Sequence, residues 1–163
     1  MNMESVPMMT TLQYLALLHQ VSYTSVCKEA AITPQQFSDW IKKRRPVPKE
    51  RLHALGNYFN MDAAILVDDD YYLKDLTVDM KINIQILFLT RLLEHAEDGT
   101  DMEAYREKLK QLQTEKEHQM IISRFAAIVK GADASTLRLC HAFLDHIEGG
   151  DVTGLNTMLK ESE

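Results

Sequence analysis

An all-α fold is what this sequence predicts, and three observations predict it. The apolar residues recur mostly at three- and four-residue intervals, only four prolines and six glycines occur in 163 residues, and hydroxyl or carboxylate side chains stand where helices would begin. At 45% hydrophobic residues the chain can bury a core of ordinary size. The longest apolar stretch, around residues 82–93, is interrupted by Asn83, Gln85 and Arg91 and falls short of the ~18 residues a membrane span needs. The first residues lack the basic start and apolar centre of a secretory signal. Cys27 and Cys140 lie far apart without a CxxC partner, which points to free thiols and a cytoplasmic location.

Taken in order, Leu12, Leu15, Ala16 and His19 mark a first helix, and Val26, Cys27 and Ala30 a second that Ser22 can cap. The third begins at Thr33: a hydroxyl at the cap, Pro34 at the first helical position, where its missing N–H costs nothing, and Gln36 at the third, as in a capping box. It ends before Pro46, because the residue preceding a proline is pushed out of the α region, and Pro48 opens a fourth helix running to Phe59. Asn60 suits the left-handed position after it, and residues 61–67 make a short fifth helix. Three aspartates then interrupt the pattern, so 68–75 reads as a solvated linker between a domain at 1–67 and another at 76–163. Beyond it, helices are expected at about 75–95, 101–130 and 133–148, with a short tail helix after Gly150. Gly99, Gly131, Gly149 and Gly150 stand at the breaks and Asp101, Asp133 and Asp151 serve as caps. Residues 80–86 alternate apolar and polar as a strand would. Val78, Ile82, Ile86, Leu89 and Leu93 also keep helical spacing, so helix is preferred and strand stays open.

The charge is unevenly divided. Residues 1–60 hold seven Lys/Arg against four Asp/Glu, whereas residues 61–163 hold 11 against 20. A basic front joined to an acidic remainder suits a protein whose first part faces an anion. The basic residues cluster at "IKKRRPVPK" beside the third helix. At about 100° per residue, Phe37, Trp40 and Ile41 share one arc of that helix with Pro34, while Gln35, Gln36, Ser38, Asp39, Lys42 and Lys43 share the opposite one. Glutamine donates to and accepts from an adenine edge, an aspartate accepts from cytosine N4 or orients a neighbour, and serine bonds several edges. Lys42, Lys43, Arg44, Arg45 and Lys49 would neutralise phosphates without reading bases.

The stretch "SYTSVCKEAAITPQQFSDWIKKRRPVPKERLHALGNYFNMDAAIL", residues 22–66, resembles the five-helix, lambda-repressor-like helix-turn-helix domain of the Xre/Cro family of bacterial and phage regulators. Val26-Cys27 match a bulky residue followed by a small one, Ile32-Thr33 the turn and cap, and Phe37 and Trp40 the buried positions of the recognition helix. The resemblance implies that the helix over 34–43 enters the major groove of double-stranded DNA, with Gln35, Gln36, Ser38 and Asp39 as base readers. It also implies that Tyr23 and Thr33 join the basic residues at backbone phosphates. Ala31 stands where the family has a turn glycine, and Ile41 and Lys43 replace a frequent glutamate and glycine at the recognition-helix exit.

A single unit of this kind reads a short half-site, so the helical 76–163 region is expected to assemble a dimer or tetramer on palindromic operator DNA, most simply as a repressor. Tyr105, Leu109 and Leu112 begin an apolar stripe that Ile121, Ile122, Phe125, Ile128 and Val129 continue, without the sustained heptads of a zipper. A protein or small-molecule effector is left open as a further partner. A second reading is a helical adaptor or antitoxin-like partner whose acidic half binds another protein or an effector. No metal or cofactor is expected: His141 and His146, near Cys140, lie about 140° apart on a helix, and Asp68–Asp70 lack a calcium loop's spacing. With no phosphate-cradling glycine loop, GxSxG or HExxH, an enzyme is not expected either.

Overall fold

The computed structural model describes residues 8–96 and 101–160, and contains eight α-helices and no strand among them. They are α1 Thr11–Leu18, α2 Tyr23–Glu29, α3 Pro34–Ile41, α4 Lys49–Phe59, α5 Val78–Glu94, α6 Glu103–Gly131, α7 Ala134–Glu148 and α8 Val152–Lys160. The expected break at Gly99 lies outside the described residues. The chain divides into two compact units, 1–109 and 110–163.

In the first unit the expected caps form. Ser22 Oγ accepts from the Ser25 N–H at 3.1 Å, and Thr33 Oγ1 accepts from Gln36 N–H at 3.2 Å. Thr10 and Gln13 build a second capping box, at the start of α1. The ends of α1 to α4 share one solution: Gln20, Ala31, Lys43 and Asn60 take φ of 50–55°, in the left-handed region. The next N–H in each case reaches back five residues, as in Val21 to Ala16 O (3.0 Å) and Arg44 to Asp39 O (2.8 Å). Ala31 therefore takes the left-handed state that a turn glycine adopts freely, at a cost of about 1 kcal/mol relative to glycine.

Three features differ from expectation. The fifth helix over 61–67 is only a 3-10 turn, Ala63–Ile65, capped by Asp62. It stops because Leu66 and Val67 turn to pair with the chain returning through Leu73 and Lys74. For the same reason 68–75 is not a linker. The Asp68 carboxylate accepts from the N–H groups of Asp70 (3.0 Å) and Tyr72 (2.9 Å), closing a turn. Leu73 is 1% exposed, and Thr11 N–H to Lys74 O (3.0 Å) with Leu76 N–H to Met9 O (2.8 Å) strap the segment across the start of α1. The aspartates read as solvated spacing are the polar crown of a buried return.

Third, α5 belongs to the first unit, not to the second half. Ile84 joins the core of Leu12, Leu15, Val26, Phe37, Trp40, Leu55, Phe59, Leu66 and Leu73. Ile82 and Ile84 lie about 200° apart on a helix, and both are buried. Cover on two sides is what the period-two alternation of 80–86 records, so the segment is helix despite its strand-like pattern.

The second unit holds most of α6 together with α7 and α8. Asp133 caps α7 through Thr136 N–H at 2.7 Å, which holds its carboxyl below the ordinary range, and Asp151 caps α8 through Gly154 N–H at 3.1 Å. α7 packs against α8. Among the described residues of this unit only Leu112 is buried, while Ile121, Ile122, Leu139, Phe143 and Ile147 are exposed.

Candidate nucleic-acid interface

α3 is fixed from within. Phe37 and Trp40 are 5% and 3% exposed, and α2 packs against both α3 and α4, so these two rings set which arc of α3 faces outward. The Arg51 guanidinium of α4 donates to Ala30 O at 3.2 Å and braces the turn between α2 and α3. That role was not anticipated; its only sequence signal was a cation one turn into the fourth helix.

The outward arc carries the four expected residues in four different conditions. Gln35 is exposed, and its Nε2 donates to Asp39 Oδ1 at 3.1 Å, leaving its carbonyl free. Gln36 is also exposed, but its Oε1 accepts from the Thr33 N–H at 2.9 Å, so half of its amide, like the Thr33 hydroxyl, closes the capping box. Ser38 is half-buried, beside a groove of about 300 Å³ lined by Tyr23, Cys27, Pro34 and Phe37. Burial pushes the Cys27 thiol up, so it stays protonated. Asp39, with a side chain 15% exposed, also lies 3.7 Å from Arg44 Nη1 and 4.0 Å from Arg45 Nε. It is an organiser of its neighbours more than a free acceptor.

The basic residues divide in the same way. Lys42, Arg44, Arg45 and Lys49 are exposed, with the Lys49 ammonium 5.3 Å from the centre of the Tyr71 ring. Lys43 is committed: its Nζ pairs with Asp75 Oδ2 at 2.6 Å, tying the exit of α3 to the returning strap. Both side chains remain about 40% exposed, so the pair contributes no more than about 1 kcal/mol and an arriving phosphate can compete for the lysine. Tyr23 is exposed and its ring lies 4.9 Å from that of Phe37. The structure thus brings Gln35, Arg44 and Arg45 together around Asp39, joins Thr33 to Gln36 in the cap, and adds Asp75 as the partner of Lys43.

Elsewhere, His146 pairs with Asp151 across 3.2 Å, and no group of three metal-ligating side chains forms among the described residues. No described helix is long and apolar enough to cross a membrane. Comparison with family models, with curated proteins and with solved structures finds no match to this chain.

Proposed function

We propose that the protein is a sequence-specific DNA-binding regulator of the Xre/Cro type, a repressor that acts as a dimer or tetramer. What supports this is α3 itself. Two buried rings anchor it, its outward arc carries Gln35, Ser38 and Asp39, and Lys42, Arg44, Arg45 and Lys49 surround its exit. Such a helix can lie in a major groove with cations at the flanking phosphates and its amide and hydroxyl groups at base edges. Gln35 presents a carbonyl to accept from adenine N6 or cytosine N4, while Asp39 fixes its amide.

Self-association is supported by the second unit. A segment of 54 residues with a single buried side chain among those described has no core to hold its helices. Leu139 at 69% and Ile122 at 58% exposure need cover, and six Lys/Arg against eight Asp/Glu in 110–163 leave little net charge to oppose a second copy. The same apolar faces also favour the second reading, an adaptor for a different protein.

Selection from a random duplex library with the intact protein, at near-physiological salt, separates the two. The expected result is an enriched palindrome or pair of half-sites spaced by whole helical turns. No enrichment by folded protein would remove the regulator and leave the adaptor.

A further inference from the structure

His19, at the end of α1, is placed as no other histidine of the chain is. Its ring makes T-shaped contacts with Phe59 from α4 and Phe88 from α5, with both centroid distances 5.2 Å. Its Nε2 is buried and has no partner among the described residues, although a buried polar atom ordinarily has one. The His19 side chain lines a cavity of about 240 Å³, whose other walls include Met61, Phe88, Arg91, Leu92 and His95. Among the described residues Arg91 is in no ion pair and no carboxylate lines the space. His95 Nδ1 lies 2.8 Å from Arg91 O; a carbonyl only accepts, so Nδ1 carries the proton and Nε2 is left over.

One fixed cation, two imidazoles, the Asn60 amide and, for the rest, apolar walls among the described residues define a ligand. From this arrangement we infer that the cavity binds a small carboxylate with an apolar body, such as a single-ring aromatic acid. The volume is that of about eight waters, enough for one ring and its carboxylate. The guanidinium supplies a forked pair of donors matching a carboxylate, and Phe59 and Phe88 line the cavity with apolar surface for the ring. A bare phosphate would leave most of the wall unmatched.

Proton uptake accompanies binding. Burial, with the Arg91 charge second, holds His19 below its ordinary 6.5, and an arriving anion offsets the Arg91 charge and favours the imidazolium. Among the described residues, the charged or titratable groups that line the cavity with His19 are Arg91 and His95 from α5, with Asn60 the polar contribution from the end of α4. The walls come wholly from the first unit, and the site stands whether or not the protein reads DNA.

The test uses the full-length chain with sodium benzoate, benzyl alcohol and inorganic phosphate, followed by thermal shift and by the ring-proton resonance of His19. Benzoate is expected to raise the melting temperature saturably and to shift the His19 resonance, more at about pH 6 than at about pH 8, while benzyl alcohol and phosphate do neither. Arg91→Gln, on the half-exposed rim, is expected to leave the unliganded melting temperature close to the parent's and to weaken benzoate about tenfold or more. His19→Gln should reduce the pH dependence of binding, with any remainder assigned to His95. Equal binding of benzoate and benzyl alcohol would reduce the site to a plain apolar cavity. Undiminished binding to Arg91→Gln would place the acid elsewhere, and no saturable shift at all would end the proposal.

Discussion

Gln35 and Gln36 are neighbours in sequence and differ in what their amides are already doing. Gln36 spends its carbonyl on the Thr33 N–H, while Gln35 uses only its amino group, on Asp39. Truncating them should therefore have different consequences. Gln36→Ala opens one side of a capping box and is expected to lower stability by about 0.5–1 kcal/mol, read as a lower urea midpoint with unchanged slope, with a small effect on base preference. Gln35→Ala touches no cap. It is expected to leave stability within about 0.5 kcal/mol and to cost about 1–3 kcal/mol on an enriched site, relaxing preference at one base pair. Equal losses on enriched and random DNA for Gln35→Ala would take base reading away from that residue. The cap itself was legible, because Thr-Pro-Gln-Gln is a local signal. The division of labour between two adjacent glutamines was not: it depends on the rotamer that reaches Asp39, one turn away.

The helices repeat this contrast between local and remote information. Caps at Ser22, Thr33, Asp101, Asp133 and Asp151 were readable because each acts within three residues of itself. The strap over 66–76 was not, since its hydrogen bonds run to Met9 and Thr11, more than sixty residues back, and no periodicity encodes such a pairing. Missing the strap also hid Asp75 from the candidate interface. Because Asp75 occupies Lys43, its removal should change electrostatics at the end of α3 without touching a base. Asp75→Asn is expected to tighten binding to every duplex alike and to steepen the dependence of log K on log salt by up to about 0.9, the increment of one phosphate contact. Titrations at several salt concentrations measure this, and an unchanged slope and affinity would mean that Lys43 does not face phosphate.

At the scale of the whole molecule, the two units differ in what makes them fold. The first owns a continuous core that includes Leu73 from the strap and Ile84 from α5, while the second buries only Leu112 among its described residues. A chain ending at Asp70, the natural cut if 68–75 were a linker, loses both Leu73 and Ile84. At about 2–5 kcal/mol for each large aliphatic lost from a core, that removes most of a typical total of about 5–15 kcal/mol, so this chain is expected to be unfolded. A chain ending at Leu109 keeps the whole core and is expected to melt cooperatively as a monomer, with random-duplex binding retained and the preference for an enriched palindrome reduced. The intact protein should sediment as a dimer or tetramer, and its melting temperature should rise with concentration, because association stabilises the folded form by mass action. Sedimentation velocity on the three chains decides between the alternatives. A folded chain ending at Asp70 would mean that the strap is dispensable; a chain ending at Leu109 that matched the intact protein in assembly and affinity would give the exposed faces of α6 and α7 to a different partner.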